Sequence, residues 1–152
     1  MRALIPPPIV LVLCGFLMWA TDRLSPGSGF EFEYSRVFFG CLLGIGFLIM
    51  MMAVSTMMKH RTEIHPNRKA LSRATHLVTT GIFRYSRNPI YLGMAIMLMG
   101  WFFHLESWIC LSGVVLFVAF INTFQIDPEE EALTKIFGEE YKRYKARVRR
   151  WL

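Results

Sequence analysis

Arg84, Tyr85, Arg87, Asn88 and Tyr91 crowd guanidinium, phenol and amide groups into one short stretch of this 152-residue chain. Asp127, Glu129 and Glu130 supply carboxylates far downstream. Guanidinium donors suit a carboxylate ligand, and carboxylates suit an ammonium group or ribose hydroxyls. Aromatic faces suit an adenine or a sulfonium, the latter by cation–π attraction. Each piece also has a plainer reading. Arg87-Asn88-Pro89 fits a helix boundary, since the residue before proline resists helix. Glu129 and Glu130 complement the positive end of a helix dipole, and Thr80-Gly81 fits a turn.

Two apolar elements must bring these groups together. Ile90–Phe103 follows the basic stretch directly, and Ile109–Ile126 leads into the acidic one. Joined by the short turn His104–Trp108, they form a helical hairpin that returns the chain near its starting point. Trp101 and Trp108 then fall at the outer membrane interface, where amphipathic rings are favoured. Upstream, Val37–Met58 runs 22 residues without a charge, enough to cross a bilayer core of about 30 Å. Ile5–Ala20 makes a further segment; Pro6-Pro7-Pro8 suits its first turn, and no cleavage site follows it. The expected fold is all-α and integral to the membrane, with about four transmembrane helices. Residues 1–58 hold two, 59–89 form a cytoplasmic loop, 90–126 the hairpin, and 127–152 a C-terminal amphipathic helix, all in one domain. In the second helix, Gly40 and Gly44 form a small-xxx-small pattern read as ordinary packing.

Hydrophobic residues make up 54% of the chain and charged ones 18%, which is unusual for a soluble domain. Seven of the 17 Lys and Arg lie between Lys59 and Arg87, and seven more between Lys135 and Arg150. By the positive-inside rule both clusters and both termini are cytoplasmic. The charges flank apolar segments, so anionic lipid headgroups are the expected contact and nucleic acid is not. Cys14, Cys41 and Cys110 read as small core residues, and His60, His65 and His76 lack ligand spacing, so no metal is expected.

Leu133, Phe137, Tyr141, Tyr144, Val148 and Trp151 recur at helical spacing, opposite a basic face of Lys142, Arg143, Arg147 and Arg150. Asp127 fits an N-cap, with Pro128 in the first turn and Glu130 at capping-box spacing.

The order Leu77-Val-Thr-x-Gly, Phe83, Arg87-Asn-Pro-x-Tyr91-x-Gly93, Glu129-Glu130-x-x-Leu133 and Phe137-Gly-Glu-Glu-Tyr141-x-x-Tyr144 resembles the isoprenylcysteine carboxyl methyltransferases. Phospholipid methyltransferases look similar over the same region, roughly Thr75 to Trp151. The resemblance implies a membrane enzyme that uses S-adenosylmethionine to methylate a lipophilic small-molecule or lipidated acceptor. It implies cofactor contacts at Thr75, His76, Leu77, Val78, Phe83, Arg87, Asn88, Pro89, Ile90, Tyr91, Glu129 and Glu130. The catalytic group stays open among Glu130, Asp127 and Arg87. Three positions depart from the family: Asn88 replaces a histidine, Thr75 stands where a histidine is usual, and Gln125-Ile126-Asp127 replaces a segment that often holds an arginine. The last leaves the acceptor's class open. A bacterial inner membrane is the expected location, and the oligomeric state is open. The rivals are a non-catalytic membrane scaffold or accessory subunit, and a membrane reductase, for which no glycine-rich phosphate loop is present.

Overall fold

The computed structural model describes residues 5–25, 27, 29–59 and 76–152. Among them every regular element is a helix, and one isolated bridge joins Gly29 and Ser107. Helix α1 spans Pro7–Leu24 with proline in its first turn, as the proline run predicts. Helix α2 spans Ser35–Lys59 and α3 spans Pro89–Leu105. A turn through Glu106, in the left-handed region at φ 51°, reverses the chain. Helix α4 (Leu111–Ile121), a π-helical turn (Asn122–Ile126) and helix α5 (Asp127–Phe137) follow.

Three helical runs are long and apolar enough to cross a membrane: Pro7–Leu24, Ser35–Lys59 and Trp108–Phe137. The expected fourth, α3, is apolar but has only 17 residues. The last run has 30 residues, about 45 Å of helix at 1.5 Å per residue. It therefore outruns a bilayer core, and its apolar part ends at Ile126. The charged α5 is an extension beyond it.

Asp127 is not an N-cap. Ile126 and Asp127 are both right-handed helical, so the helix passes straight through them. Proline 128 has no N–H to continue the ordinary ladder, and the Asp127 N–H reaches back to the Asn122 carbonyl in a π turn. An Asp-Pro pair reads as a helix start, yet here it marks a bulge inside a helix. Nor is the segment after it one helix. Gly138, at φ 51° and ψ −119°, breaks it in a conformation glycine tolerates. Helix α6 (Glu139–Arg147) follows, and residues 148–152 leave it at the extended Val148 as a non-helical strap.

Helices α2 and α3 pack closely where Gly46 meets Gly93. A Cβ on Gly46 would lie 2.5 Å from the Gly93 carbonyl oxygen. The Gly40–Gly44 pattern does not make this contact, for a Cβ on either residue would meet nothing within 4 Å. The core joins α1, α3 and α4 through Val10, Cys14, Met18, Leu98, Phe117 and Ile121. Cys14 and Cys110 are buried as expected, but Cys41 is exposed. At the hairpin turn the Phe30 N–H donates to the Glu106 carbonyl at 2.7 Å, and Phe30 packs on Phe102 and Trp108. Trp108 is exposed like an interface anchor, whereas Trp101 turns inward to donate to the Gly15 carbonyl at 3.1 Å. Val12, Phe16, Val37, Phe47 and Leu48 are exposed apolar side chains on α1 and α2, as surfaces facing lipid would be.

Candidate functional site

The basic stretch leaves the Thr80–Gly81 turn as a short 3₁₀ helix, Gly81–Arg84, and enters α3 at Pro89. The hairpin then returns the chain so that α5 lies beside this segment. The geometry brings together the two halves that the spacing suggested. Arg87 Nη2 donates to Glu130 Oε1 at 3.0 Å, with side chains only 7% and 6% exposed. Tyr91 Oη donates to Glu129 Oε1 at 2.7 Å.

Glu130 sits at the centre of a cation cluster. Besides Arg87, its carboxylate accepts from Arg150 Nε at 3.2 Å, Arg150 Nη2 at 3.0 Å and Lys145 Nζ at 2.9 Å. Burial alone would raise its pKa. The hydrogen bonds from Arg150 and Lys145, with the charge of Arg87, outweigh that and hold it below the usual carboxylate range. Asp127 is also occupied, by Arg150 at 2.9 Å. Two of the three catalytic candidates are therefore neutralised by cations.

Glu129 differs. Among the described residues no Lys or Arg forms an ion pair with it; its partner is the Tyr91 phenol. Burial pushes its carboxyl up to about 7, an effect the Tyr91 hydrogen bond only partly offsets. Arg87 is complementary to it. Its Nε and Nη1 are buried and have no acceptor among the described residues. Helix α3 begins two residues later with no acidic side chain in its first turn, so its dipole adds positive potential. The site thus presents spare donors on Arg87 and, on the residue preceding its partner Glu130, a carboxyl with no counter-charge. That combination matches a ligand carrying both a carboxylate and an ammonium.

Other expected contacts fall differently. The Asn88 amide is engaged by the strap, Nδ2 donating to the Arg150 carbonyl at 3.1 Å. Pro89 is buried, while Ile90, Leu77, Val78 and Phe83 are half-buried and His76 is exposed. The Phe83 carbonyl accepts from Tyr144 Oη at 2.8 Å. Thr75 lies outside the described residues, as do His60 and His65. Among the described residues no cluster of His, Cys, Asp and Glu could hold a metal.

Sequence reasoning missed Ser86 and misassigned the tail. Ser86 is buried, donates to the Arg150 carbonyl at 3.3 Å and accepts from the Asn88 N–H at 3.1 Å. Arg150 belongs to the ion cluster and not to an outward basic face. Tyr141 and Tyr144 are buried against the site. Trp151 Nε1 donates to Asn122 Oδ1 in the π turn at 3.1 Å. Gln125, also in that turn, is fully buried and donates to the Ile5 carbonyl at 2.6 Å.

The family described as phospholipid methyltransferase matches residues 35–140. An uncharacterized protein of Haemophilus influenzae is 44% identical over 63 residues, which are 41% of this chain and the whole of that protein. No solved structure matches the chain.

Proposed function

From the chain's membership of the phospholipid methyltransferase family, which carries membrane methyltransferase as its general activity, we propose that it is an S-adenosylmethionine-dependent enzyme acting on a lipophilic acceptor. The observation that carries this is the pairing of Arg87, with two unpartnered buried nitrogens, and Glu129, with no cation. A membrane-edge clamp, the scaffold alternative, has no use for two buried Arg87 donors without an acceptor, because a buried unmade hydrogen bond is costly.

In this reading a free Arg87 N–H, on Nε or Nη1, donates to the cofactor's carboxylate and Glu129 faces its ammonium. Tyr91 holds the Glu129 carboxylate in place. Phe83, Leu77 and Val78 offer apolar contact for the rest of the molecule, with His76 at its edge; Thr75, outside the described residues, is a further contact by the resemblance alone. Asn88, Pro89 and Ile90 shape the site from the start of α3, and Glu130 acts through Arg87. The cofactor supplies an electrophilic methyl on a sulfonium, so the protein's task is alignment and exclusion of water. Glu130 and Asp127 are too heavily paired to take a proton.

The acceptor enters from the bilayer. A cleft of about 410 Å³ between α1 and α4, lined by apolar Val10, Leu13, Cys14, Leu116, Phe120 and Phe124, supports this route. We place the site, both termini and the basic segments on the cytoplasmic side, with α3 completing a four-helix membrane domain over residues 1–152, in a bacterial inner membrane.

Calorimetry of S-adenosylmethionine binding to detergent-purified protein tests the reading. Saturable binding is expected, lost in Arg87→Ala and Glu129→Ala; no binding by folded wild type sinks it. The pH dependence is specific. Below about 7 the Glu129 carboxyl is neutral in the free protein, so facing an ammonium requires it to lose a proton first. Affinity should rise up to about tenfold per pH unit as pH increases toward 7, then level off. Glu129→Gln should flatten the profile, and an unchanged slope in that variant would assign the titration elsewhere.

A further inference from the structure

Arg87 and Arg150 share one carboxylate, and the sharing is uneven. An ionised carboxylate offers about four lone-pair sites to donors. Glu130 fills them with Arg87 Nη2, Arg150 Nε, Arg150 Nη2 and Lys145 Nζ, at 3.0, 3.2, 3.0 and 2.9 Å. Arg87 is thereby limited to one N–H on Glu130. Its Nε and Nη1, which lie on opposite sides of Nη2, are excluded from the carboxylate nearest to them and left buried without an acceptor among the described residues.

Arg150 does not reach Glu130 by chance of rotamer. The strap that carries it is fixed on both sides. The Arg87 N–H donates to the Arg149 carbonyl at 3.1 Å, and the Arg150 carbonyl accepts from both Asn88 Nδ2 and Ser86 Oγ. Trp151 then binds Asn122 in the π turn. Asp127 takes a further contact from Arg150 Nη2, which aligns the guanidinium with the start of α5. The segment holding Arg87 and the strap holding Arg150 therefore position one another.

We propose that Arg150 is a positioning residue that occupies Glu130 so that Arg87 keeps Nε and Nη1 free, one of them to meet a ligand carboxylate. Without Arg150, two lone-pair sites on Glu130 empty. The planar Arg87 guanidinium then closes onto them as a bidentate pair, the geometry it favours. That pair uses Nη2 and one of its neighbours, so the protein would keep its buried ion pair and lose a donor for the anion. This rests on the cofactor reading above and adds to it which residue keeps the site open. Asn88 and Ser86 serve the same end through the strap.

The test compares wild type with Arg150→Met for two probes, S-adenosylmethionine and its decarboxylated form, which keeps the ammonium and sulfonium but lacks the carboxylate. Arg150→Met should raise the Kd for S-adenosylmethionine about tenfold or more, the scale of a lost charge-assisted hydrogen bond. The Kd for the decarboxylated probe should change less than about twofold. Equal changes for both probes, or none for either, overturn the role given to Arg150 while leaving the cofactor reading intact. A folded wild type that binds neither probe overturns the cofactor reading and this inference with it. Should Arg150→Met fail to fold, Arg150→Lys fills one of the two sites. It should then show a smaller loss, again confined to the carboxylate-bearing probe, and an unselective loss would refute the proposal.

Discussion

Replacing Glu130 with alanine is expected to destabilise the protein by about 3–5 kcal/mol, the usual cost of removing one partner from a buried ion cluster. Three cations converge on this carboxylate, and Arg87 is only 7% exposed with no other carboxylate partner among the described residues. The variant would leave that guanidinium buried and uncompensated. A fall of about 10 °C in the thermal midpoint, followed by helical circular dichroism in detergent, is the scale for a chain of this length. Glu131→Ala, one residue on, should shift it little, because the Glu131–Lys135 pair is exposed at 65% and 72%. Acid gives a second reading. The Glu130 pKa is lowered in the folded protein, so its contribution is present above the unfolded-state pKa and fades as pH falls through the folded one. Wild type and Glu130→Gln should converge in stability at low pH. A midpoint for Glu130→Ala within about 2 °C of wild type would show that the cluster is held by other contacts.

How far the sequence revealed this arrangement depends on what makes each contact. Arg87 meeting Glu130 and Tyr91 meeting Glu129 follow from a helical hairpin that leaves and returns at one membrane face, and hydropathy alone outlines that hairpin. The strap contacts are not legible in the same way. Asn88 and Ser86 recognise the carbonyl of Arg150, a backbone group that every residue possesses, so no side-chain pattern announces it. Arg150 keeps helical spacing with Arg143 and Arg147, and it looked like one more charge on an exposed face. The chain stops being helical after Arg147, and that break turns the side chain onto Glu130. Pro128 misled for a related reason. Its missing N–H suits a helix start and a π turn equally, and only the 30-residue run from Trp108 to Phe137 separates the two. Apolar length gave the membrane helices but not their contact register, which is why Gly40 and Gly44 drew attention that belonged to Gly46.

That register yields the second large effect. Gly46→Ala is expected to destabilise the α2–α3 pair, whereas Gly40→Ala on the same helix should be neutral or stabilising. A Cβ on Gly46 would stand 2.5 Å from the Gly93 carbonyl oxygen and 2.6 Å from Met97 Cγ. Met97 can change rotamer but the Gly93 backbone cannot, so the helices must separate, at about 1–3 kcal/mol. At Gly40 an added methyl meets nothing within 4 Å, leaving only the helix-propensity gain of alanine, up to about 1 kcal/mol. Gly93→Ala mirrors the first clash, since its Cβ would lie 2.5 Å from the Gly46 oxygen. The double variant Gly46→Ala/Gly93→Ala should cost less than the sum of the singles, because helices parted by one methyl already accommodate the other. The consequence reaches the site. Gly93 lies two residues after Tyr91, so moving α3 away from α2 also shifts the phenol that holds Glu129 at 2.7 Å. Thermal melts and S-adenosylmethionine calorimetry on the same variants should therefore fall together for Gly46→Ala and stay at wild-type values or better for Gly40→Ala. A melt that drops while affinity holds would mean that α3 yields at its far end and leaves the Arg87–Tyr91 segment fixed by the strap.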